Sequence, residues 1–203
     1  MKKYITEFLG TMFLFLGAAF AGGLGAALIL MAMIYAGGHI SGAHYNPAVT
    51  LSVLIRNRIS FMQAMIYWIS QFAGALIGAV LFMYVFGFEE GRSLCMIPDE
   101  KVMAGFCAEL LGTFVLAYVV LNVATAKSTA GNSFYGIAIA GALYAVSQAF
   151  GQFSGGAFNP AIAVGMSLAK LMCWKYLYIY IIATFVGGAL AAAIFRLSNT
   201  DDK

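Results

Sequence analysis

Two copies of one tripeptide, Asn-Pro-Ala, are the residues of this sequence whose types and spacing suggest chemistry. They stand at Asn46-Pro47-Ala48 and Asn159-Pro160-Ala161. Asparagine followed by proline predicts a helix start, because asparagine caps the first amide groups and proline fits the first helical position. Each copy could bind a polar molecule, because the asparagine side-chain amide donates hydrogen bonds and the helix N-terminus carries partial positive charge.

Groupings of residues that would indicate catalysis are missing from the sequence pattern. We find no nucleophile–base pair, phosphate-binding loop or metal-ligand cluster, and so expect no enzyme, no cofactor and no bound metal. Three cysteines have no metal spacing, which favours small apolar side chains or unpaired thiols: Cys95, Cys107 and Cys173. The net charge of +3 is too small and too scattered to predict nucleic-acid binding.

The composition places these residues in a lipid bilayer. Of 203 residues, 63% are hydrophobic and only 9% are charged, which predicts an integral membrane protein. Long apolar runs favour an all-α membrane protein over a β-barrel, whose strands would alternate in polarity. The basic start at Met1-Lys2-Lys3 resembles a signal peptide, but Glu7 and the lack of a clear cleavage site favour a retained membrane span.

Four apolar runs each have the length of one membrane span: 61–86, 103–124, 134–150 and 176–195. The stretch 4–36 is too long for one span, because a helix of that length would measure about 50 Å. An internal repeat resolves it. Glu7-Phe-Leu-Gly-Thr reads against Glu109-Leu-Leu-Gly-Thr, and mapping the second half onto the first makes two helices meet at Ala21-Gly22-Gly23.

The repeat predicts six spans in a single transmembrane domain, 1–203, with two related halves at about 1–90 and 100–203. Three spans per half is an odd number, so the second half enters the membrane from the opposite side. Each Asn-Pro-Ala precedes a short apolar segment, Ala48–Ile55 or Ala161–Ala169, of about 12–15 Å. These segments are predicted to be half-helices that enter the membrane from opposite sides and meet head to head near its midplane.

The glycine-rich stretches before the two caps, 37–42 and 151–156, are expected to run extended and to turn carbonyl oxygens into a water-filled cavity. Acceptors from these stretches, two asparagine donors and two helix N-termini would together pass small neutral molecules and repel cations.

Basic residues are unevenly distributed, seven against four, which predicts that both termini are cytoplasmic. The cytoplasmic set is Lys2, Lys3, Arg56, Arg58, Lys127, Arg196 and Lys203. The opposite side would carry Arg92, Lys101, Lys170 and Lys175 with the acidic residues Glu89, Glu90, Asp99 and Glu100.

The sequence resembles the aquaporin, or major intrinsic protein, family over nearly its whole length. The resemblance rests on GGHISGAHYNPAVT at 37–50, GQFSGGAFNPA at 151–161, the paired Glu-x-x-Gly-Thr motifs and Gln71-Phe-Ala-Gly-Ala75. It implies a right-handed bundle of six transmembrane helices plus two re-entrant half-helices. It also implies one pore per subunit, usually in a homotetramer of the plasma membrane, that passes water and small neutral solutes.

The sequence departs from this family at the outer selectivity filter. Most relatives have arginine directly after the second Asn-Pro-Ala, where this chain has Ile162; the other filter positions fall on Ala26, Ser147 and Gly156. Small uncharged side chains predict a wider filter that passes glycerol-like or urea-like solutes as well as water. The alternative is a water-selective channel, in which aromatic neighbours such as Tyr45 and Phe158 fill the vacated space.

Three further ionisable residues each have more than one possible role. The intramembrane carboxylates Glu7 and Glu109 could relay protons, but their symmetric placement favours support of the re-entrant loops, which is also their role in the family. His39 matches a common histidine of relatives and could line the inner vestibule. A proton-coupled secondary transporter that uses Glu7 or Glu109 is the main rival function, and a membrane scaffold with a vestigial pore is a third.

Overall fold

The described residues of this computed structural model, 1–87 and 95–202, include seven α-helices. The helices are α1 (Lys2–Ser41), α2 (Pro47–Ile55), α3 (Phe61–Val80), α4 (Val102–Val120), α5 (Tyr135–Ser154), α6 (Pro160–Leu168) and α7 (Leu177–Ser198). Helices α3 and α4 continue into π-helical turns, Leu81–Val85 and Leu121–Thr125. Short 3₁₀ turns cover Asp99–Lys101, Lys127–Thr129 and Trp174–Tyr176.

Helix α1 breaks in its middle, where the sequence predicts a reversal. Ala21 and Gly22 have non-helical backbone angles, and Gly22 has φ 60° and ψ −150°, a region that only glycine enters without strain. A Cβ atom at Gly25 would lie 2.5 Å from the Gly17 carbonyl oxygen, so the two arms of α1, residues 2–20 and 23–41, fold back against each other. The predicted pair of spans is confirmed.

Two arms of α1 together with α3, α4, α5 and α7 give six crossing helices in the described chain. Four segments are long and apolar enough to cross a membrane: Lys2–Ser41, Phe61–Val85, Asp99–Thr125 and Trp174–Ser198. Helix α5 has 20 residues, whereas α2 and α6 have only 9 each, or about half a membrane thickness. The all-α architecture of six spans and two half-helices is confirmed.

Each half-helix packs against a long helix from the other half. Helix α2 lies against α7, and α6 lies against α3. The Ser52 hydroxyl on α2 donates a hydrogen bond of 2.8 Å to the Gly188 carbonyl on α7. A Cβ atom at Gly165 on α6 would lie 3.0 Å from the Ala75 carbonyl oxygen on α3. This exchange brings the two half-helices to the centre of the bundle.

The predicted extended stretches are much shorter in the structure. Helix α1 continues to Ser41 and α5 to Ser154, so only residues 42–45 and 155–158 run outside helices before each cap. The prediction placed all of residues 37–42 in an extended stretch. Gly37 instead allows close packing, because a Cβ atom there would lie 2.1 Å from the Tyr45 hydroxyl. The helices end at Gly42 and Gly155, with φ 89° and 87°.

The expectation of unpaired cysteines is wrong for two of the three. Cys95 and Cys173 form a disulfide with their Cα atoms 5.0 Å apart, whereas Cys107 is free and exposed. The partners are separated by 78 residues, so no local spacing indicates the pair. The fold brings the segment before α4 next to the segment that follows α6.

Charged side chains gather at the two ends of the bundle. Arg56, Arg58 and Lys127 surround Asp202 at one end, while Lys175 contacts Asp99 at the other. Arg56, one of the predicted cytoplasmic basic residues, has a fully buried side chain. Four residues of the predicted charge pattern lie outside the described residues: Glu89, Glu90, Arg92 and Lys203.

Candidate functional site

The two asparagines of the Asn-Pro-Ala motifs each cap a half-helix. Asn46 Oδ1 accepts hydrogen bonds from the backbone amides of Ala48 and Val49 at 2.8 and 3.4 Å. Asn159 Oδ1 accepts from the amides of Ala161 and Ile162 at 2.9 and 3.4 Å. Pro47 and Pro160 occupy the first helical position, where no amide hydrogen is needed. Both half-helices therefore begin with the same local structure.

The two caps meet through a reciprocal pair of hydrogen bonds. Asn46 Nδ2 donates to the Phe158 carbonyl, and Asn159 Nδ2 donates to the Tyr45 carbonyl, both at 2.9 Å. Each amide nitrogen carries a second hydrogen that this bond does not use. Both asparagines lie in the wall of the central cavity. The helix N-termini and the two remaining amide hydrogens thus converge on one point between the halves.

Two buried carboxylates hold the loops that lead into the caps. Glu7 accepts from the Ser41 hydroxyl at 2.7 Å and from the amides of His44 and Tyr45 at 3.0 and 2.7 Å. Glu109 makes the same three contacts in the other half, at 2.6, 3.0 and 2.7 Å, with these partners: Ser154, Ala157 and Phe158. Glu7 also accepts a bond of 2.8 Å from Gln71 Nε2.

These contacts give each carboxylate at least three donors, and both are fully buried. Backbone amides that have left a helix are costly in an apolar interior unless they are bonded, so the carboxylates stabilise the irregular segments. Within the described residues, neither Glu7 nor Glu109 lines the central cavity or the larger one beside it.

Tyr45 and Phe158 turn their rings into the helix bundle. Both residues have positive φ, 50° and 47°, and both are fully buried. A Cβ atom at Gly10 would lie 2.1 Å from the Tyr45 ring, and one at Gly112 would lie 2.3 Å from the Phe158 ring. The rings therefore pack against glycines of α1 and α4. Phe158 also borders the central cavity, whereas Tyr45 does not.

A central cavity of about 270 Å³ runs past the caps. The four predicted filter residues all lie in its wall: Ala26, Ser147, Gly156 and Ile162. A second cavity, of about 630 Å³, is lined by His39, Arg58 and Lys127 among others. The two cavities share four lining residues and therefore adjoin: Ile34, Ala43, Val120 and Ile139.

The wall of the central cavity is largely apolar, with a few polar side chains. Apolar members include Leu14, Leu30, Val49, Leu116, Val120 and Leu143. The Ser147 hydroxyl donates to the Leu143 carbonyl at 2.7 Å, so its oxygen remains free to accept. The cavity wall therefore offers few polar groups, and none of the four predicted filter side chains is charged.

The structure adds wall residues that sequence reasoning missed: Gly22, Gly23, Met96, Gln148 and Met172. A Cβ atom at Gly23 would lie 2.7 Å from Ser147 Cβ, which shows how closely the break in α1 approaches α5. The predicted break could have indicated Gly22 and Gly23. Nothing in the local sequence indicates Met96, which lies in a segment outside the helices.

Comparison with known proteins decides the family. The family model described as Major intrinsic protein matches residues 1–195. The chain belongs to the major intrinsic protein family. It is 36% identical over 217 aligned residues to "Glycerol uptake facilitator protein-like 6" of Lactiplantibacillus plantarum, with 100% of both chains covered. It is 31% identical to "Aquaporin NIP1-4" of Oryza sativa, covering 98% of this chain and 78% of that one.

The solved structure of the aquaglyceroporin from Plasmodium falciparum has the same fold. It superposes with a TM-score of 0.77 at 24% identity, covering 96% of this chain and 94% of that chain. Members of the major intrinsic protein family are membrane channels, not enzymes, and they pass water and small solutes. The chain is therefore a multi-pass membrane channel, and its central cavity lies where two caps meet within the bundle.

Proposed function

We propose that the chain is a passive channel for water and small neutral solutes of the glycerol and urea type. The observation that carries the proposal is the meeting of the two Asn-Pro-Ala caps beside a cavity whose filter positions are uncharged. Asn46 and Asn159 supply donors to a hydroxyl or water oxygen in single file, and two helix N-termini disfavour cations there. A neutral solute that accepts hydrogen bonds suits this environment.

The width of the outer filter follows from its side chains, Ala26, Ser147, Gly156 and Ile162. None has an aromatic ring or a guanidinium group, so both volume and a fixed charge are absent from this ring. The Tyr45 ring is packed against Gly10 and does not line the cavity, whereas the Phe158 ring borders the cavity beside Gly156. These features favour glycerol-sized solutes over strict water selectivity, in line with the name of the glycerol uptake facilitator-like relative.

In this proposal Glu7 and Glu109 are loop supports and His39 belongs to the inner vestibule. Hydroxyl and amide donors already occupy both carboxylates. A proton relay would need access to water. Within the described part of the chain, neither Glu7 nor Glu109 lines either of the two cavities. The channel is accordingly favoured over proton-coupled transport.

We further propose a single domain over 1–203 that assembles as a homotetramer in the plasma membrane with both termini in the cytoplasm. Two observations support this orientation. Arg56, Arg58 and Lys127 gather around Asp202 at one end of the bundle, as expected for a cytoplasmic surface. The Cys95–Cys173 disulfide lies at the opposite end, as expected for an oxidising exterior.

Substitution of Ile162 by arginine tests the proposed filter. Glycerol and water permeabilities would be measured by stopped-flow light scattering of proteoliposomes. We expect Ile162→Arg to lower glycerol permeability by roughly tenfold or more while water permeability falls less, because the guanidinium narrows the ring and adds a charge. Unchanged glycerol flux would show that Ile162 is not in the filter. Ile162→Val, which keeps the position small and uncharged, is the matched control.

A further inference from the structure

Beyond the four filter positions, two methionines meet at the outer mouth of the cavity. A Cβ atom built on Gly155 would lie 3.0 Å from Met96 Cγ and 3.2 Å from Met172 Cε. Both side chains line the central cavity. Met172 is buried, at 6% exposed, while Met96 is 38% exposed. One point at the pore entrance is thus bordered by thioether side chains from two distant segments.

The segment that carries Met96 is fastened on both sides of this residue. Cys95, directly before it, is bonded to Cys173, the neighbour of Met172. Ile97, directly after it, is only 1% exposed and packs on Gly105 of α4, where an added Cβ atom would lie 2.8 Å from Ile97 Cδ1. Asp99 adds contacts to Lys175 and Tyr176. The backbone at Met96 is therefore attached to the bundle on both sides of this residue.

We propose that Met96, held by the Cys95–Cys173 disulfide and paired with Met172, is a specificity-determining residue that sets the size limit at the outer entrance of this pore. The inference rests on the proposed channel function and identifies an apolar entrance above the four-residue filter. The Met96 side chain occupies volume that a larger solute would need at this point, because an unbranched methionine fills the irregular space beside Met172.

Helix α5 contributes polar side chains to the wall of the same cavity. Ser147 and Gln148 line the cavity, and Gln148 Nε2 would lie 4.0 Å from a Cβ atom at Gly23. The wall of this cavity therefore offers thioethers near Gly155 and a hydroxyl and an amide near Gly23. This arrangement suits small polyols, which have a hydrocarbon edge and a hydroxyl edge.

The test compares variants in proteoliposomes with glycerol and the larger polyol xylitol as probes. Met96→Ala should raise xylitol permeability roughly threefold or more and glycerol permeability by a smaller factor, because pore diameter limits the larger solute more. Met96→Leu has nearly the same volume and should match the wild type. Met103→Ala is the matched control, since Met103 is 72% exposed on α4 and does not line the cavity.

Removal of the disulfide tests whether the attachment matters. Cys95→Ser with Cys173→Ser should raise xylitol permeability in the same direction as Met96→Ala. The same rise should follow when dithiothreitol reduces the wild-type disulfide to two thiols and is itself oxidised to its cyclic disulfide. If Met96→Ala raises xylitol flux but neither disulfide treatment does, the role of the disulfide is refuted while Met96 keeps its assignment.

The outcomes separate this inference from the proposed function. If the wild type passes glycerol and Met96→Ala leaves xylitol permeability unchanged, the inference is overturned and the proposed channel function stands. No wild-type flux of glycerol, with xylitol flux in Met96→Ala, would support the entrance and overturn the proposed solute range. Absence of all solute and water flux in both proteins would overturn both.

Discussion

The two half-helices begin alike and end differently. Their caps have nearly the same backbone angles, with φ −154° and ψ 121° at Asn46, and φ −158° and ψ 115° at Asn159. At the far end of α2, Arg56 is buried and bonded to Thr125 and Asp202. Helix α6 ends at Leu168 and is followed by Ala169, which has no such side chain, and the chain beyond it is held by the Cys95–Cys173 disulfide.

The difference shows which part of each half-helix the pore constrains. At the midplane both halves must offer the same hydrogen-bond donors, so the two halves have the same motif and nearly the same backbone geometry there. At the outer surfaces each half needs only a firm attachment, and the attachments suit the two sides in the proposed orientation. A charge cluster forms in a reducing cytoplasm, whereas a disulfide persists only in an oxidising environment.

Loss of the covalent attachment should have the largest effect on stability. The disulfide closes a sequence separation of 78 residues, and opening a loop of this size costs about 2–4 kcal/mol. We expect Cys95→Ser with Cys173→Ser to lower the melting temperature of the detergent-solubilised protein. Dithiothreitol should lower the wild-type value similarly and leave the double variant unchanged. An equal effect of dithiothreitol on both proteins would contradict the assignment.

Loss of the ionic attachment should come next. The Arg56 guanidinium carbon lies 4.4 Å from the centre of the Phe195 ring. Arg56→Met keeps an unbranched apolar side chain at this position but removes the hydrogen bonds to Thr125 and Asp202. Bonds to a buried charged group are worth about 1.5–3 kcal/mol, so the melting temperature should fall clearly. Arg58→Met is the control, because Arg58 is 40% exposed and such surface pairs contribute about 0–1 kcal/mol. Equal shifts in both variants would show that Arg56 is no special anchor.

The two cap ends, where α2 and α6 begin alike, should lose similar stability when they are overpacked. Gly10→Ala and Gly112→Ala each force a methyl group into the Tyr45 or Phe158 ring, and we expect each to cost about 1–3 kcal/mol. Thermal unfolding in detergent would compare both with Gly141→Ala, since an added Cβ atom at Gly141 meets no atom within 4 Å. A large effect in one half alone would break the equivalence of the two caps.

The smallest effect is a difference in acid sensitivity between the two attachments. A hydrogen bond from the Lys127 amide and the nearby Arg56 guanidinium hold the pKa of Asp202 below its ordinary value of 3.8. A lowered carboxyl pKa stabilises the fold above the unfolded-state value, and this contribution is lost as the pH falls through the folded-state value. The disulfide at the other end does not titrate.

Melting temperatures of wild type and Asp202→Asn, measured across pH, check this. Wild type should be the more stable near neutral pH, and the gap should close below pH 3.8. A gap that stays constant into acid would contradict the assigned role of the Asp202 carboxylate.

Much of the centre of this protein could be predicted from its sequence, because the repeat carries it twice. Asn46 and Asn159, together with Glu7 and Glu109, occur at matching places in the two halves, and a feature required in both halves is visible as a repeated motif. The break at Gly22 followed from the same repeat. The all-α fold with six spans needed only hydrophobic length and that alignment.

The entrance and the attachments could not be predicted in this way, because they belong to one half only. Cys95 and Cys173 are brought together by tertiary packing, with no spacing signal. Met96 lies between helices and has no partner in the repeat. Gly37 misled the prediction because a glycine that admits the Tyr45 hydroxyl looks, in sequence, like one that ends a helix.

The most direct test of a passive pore at the paired caps is solute flux recorded together with internal pH in the same proteoliposomes. Glycerol uptake would be followed by light scattering across a range of gradients, with a pH-sensitive dye trapped inside the vesicles. A passive channel predicts uptake that rises linearly with the glycerol gradient and no change in internal pH. Uptake that saturates and moves protons with the solute would contradict the account and favour a carrier that uses Glu7 or Glu109.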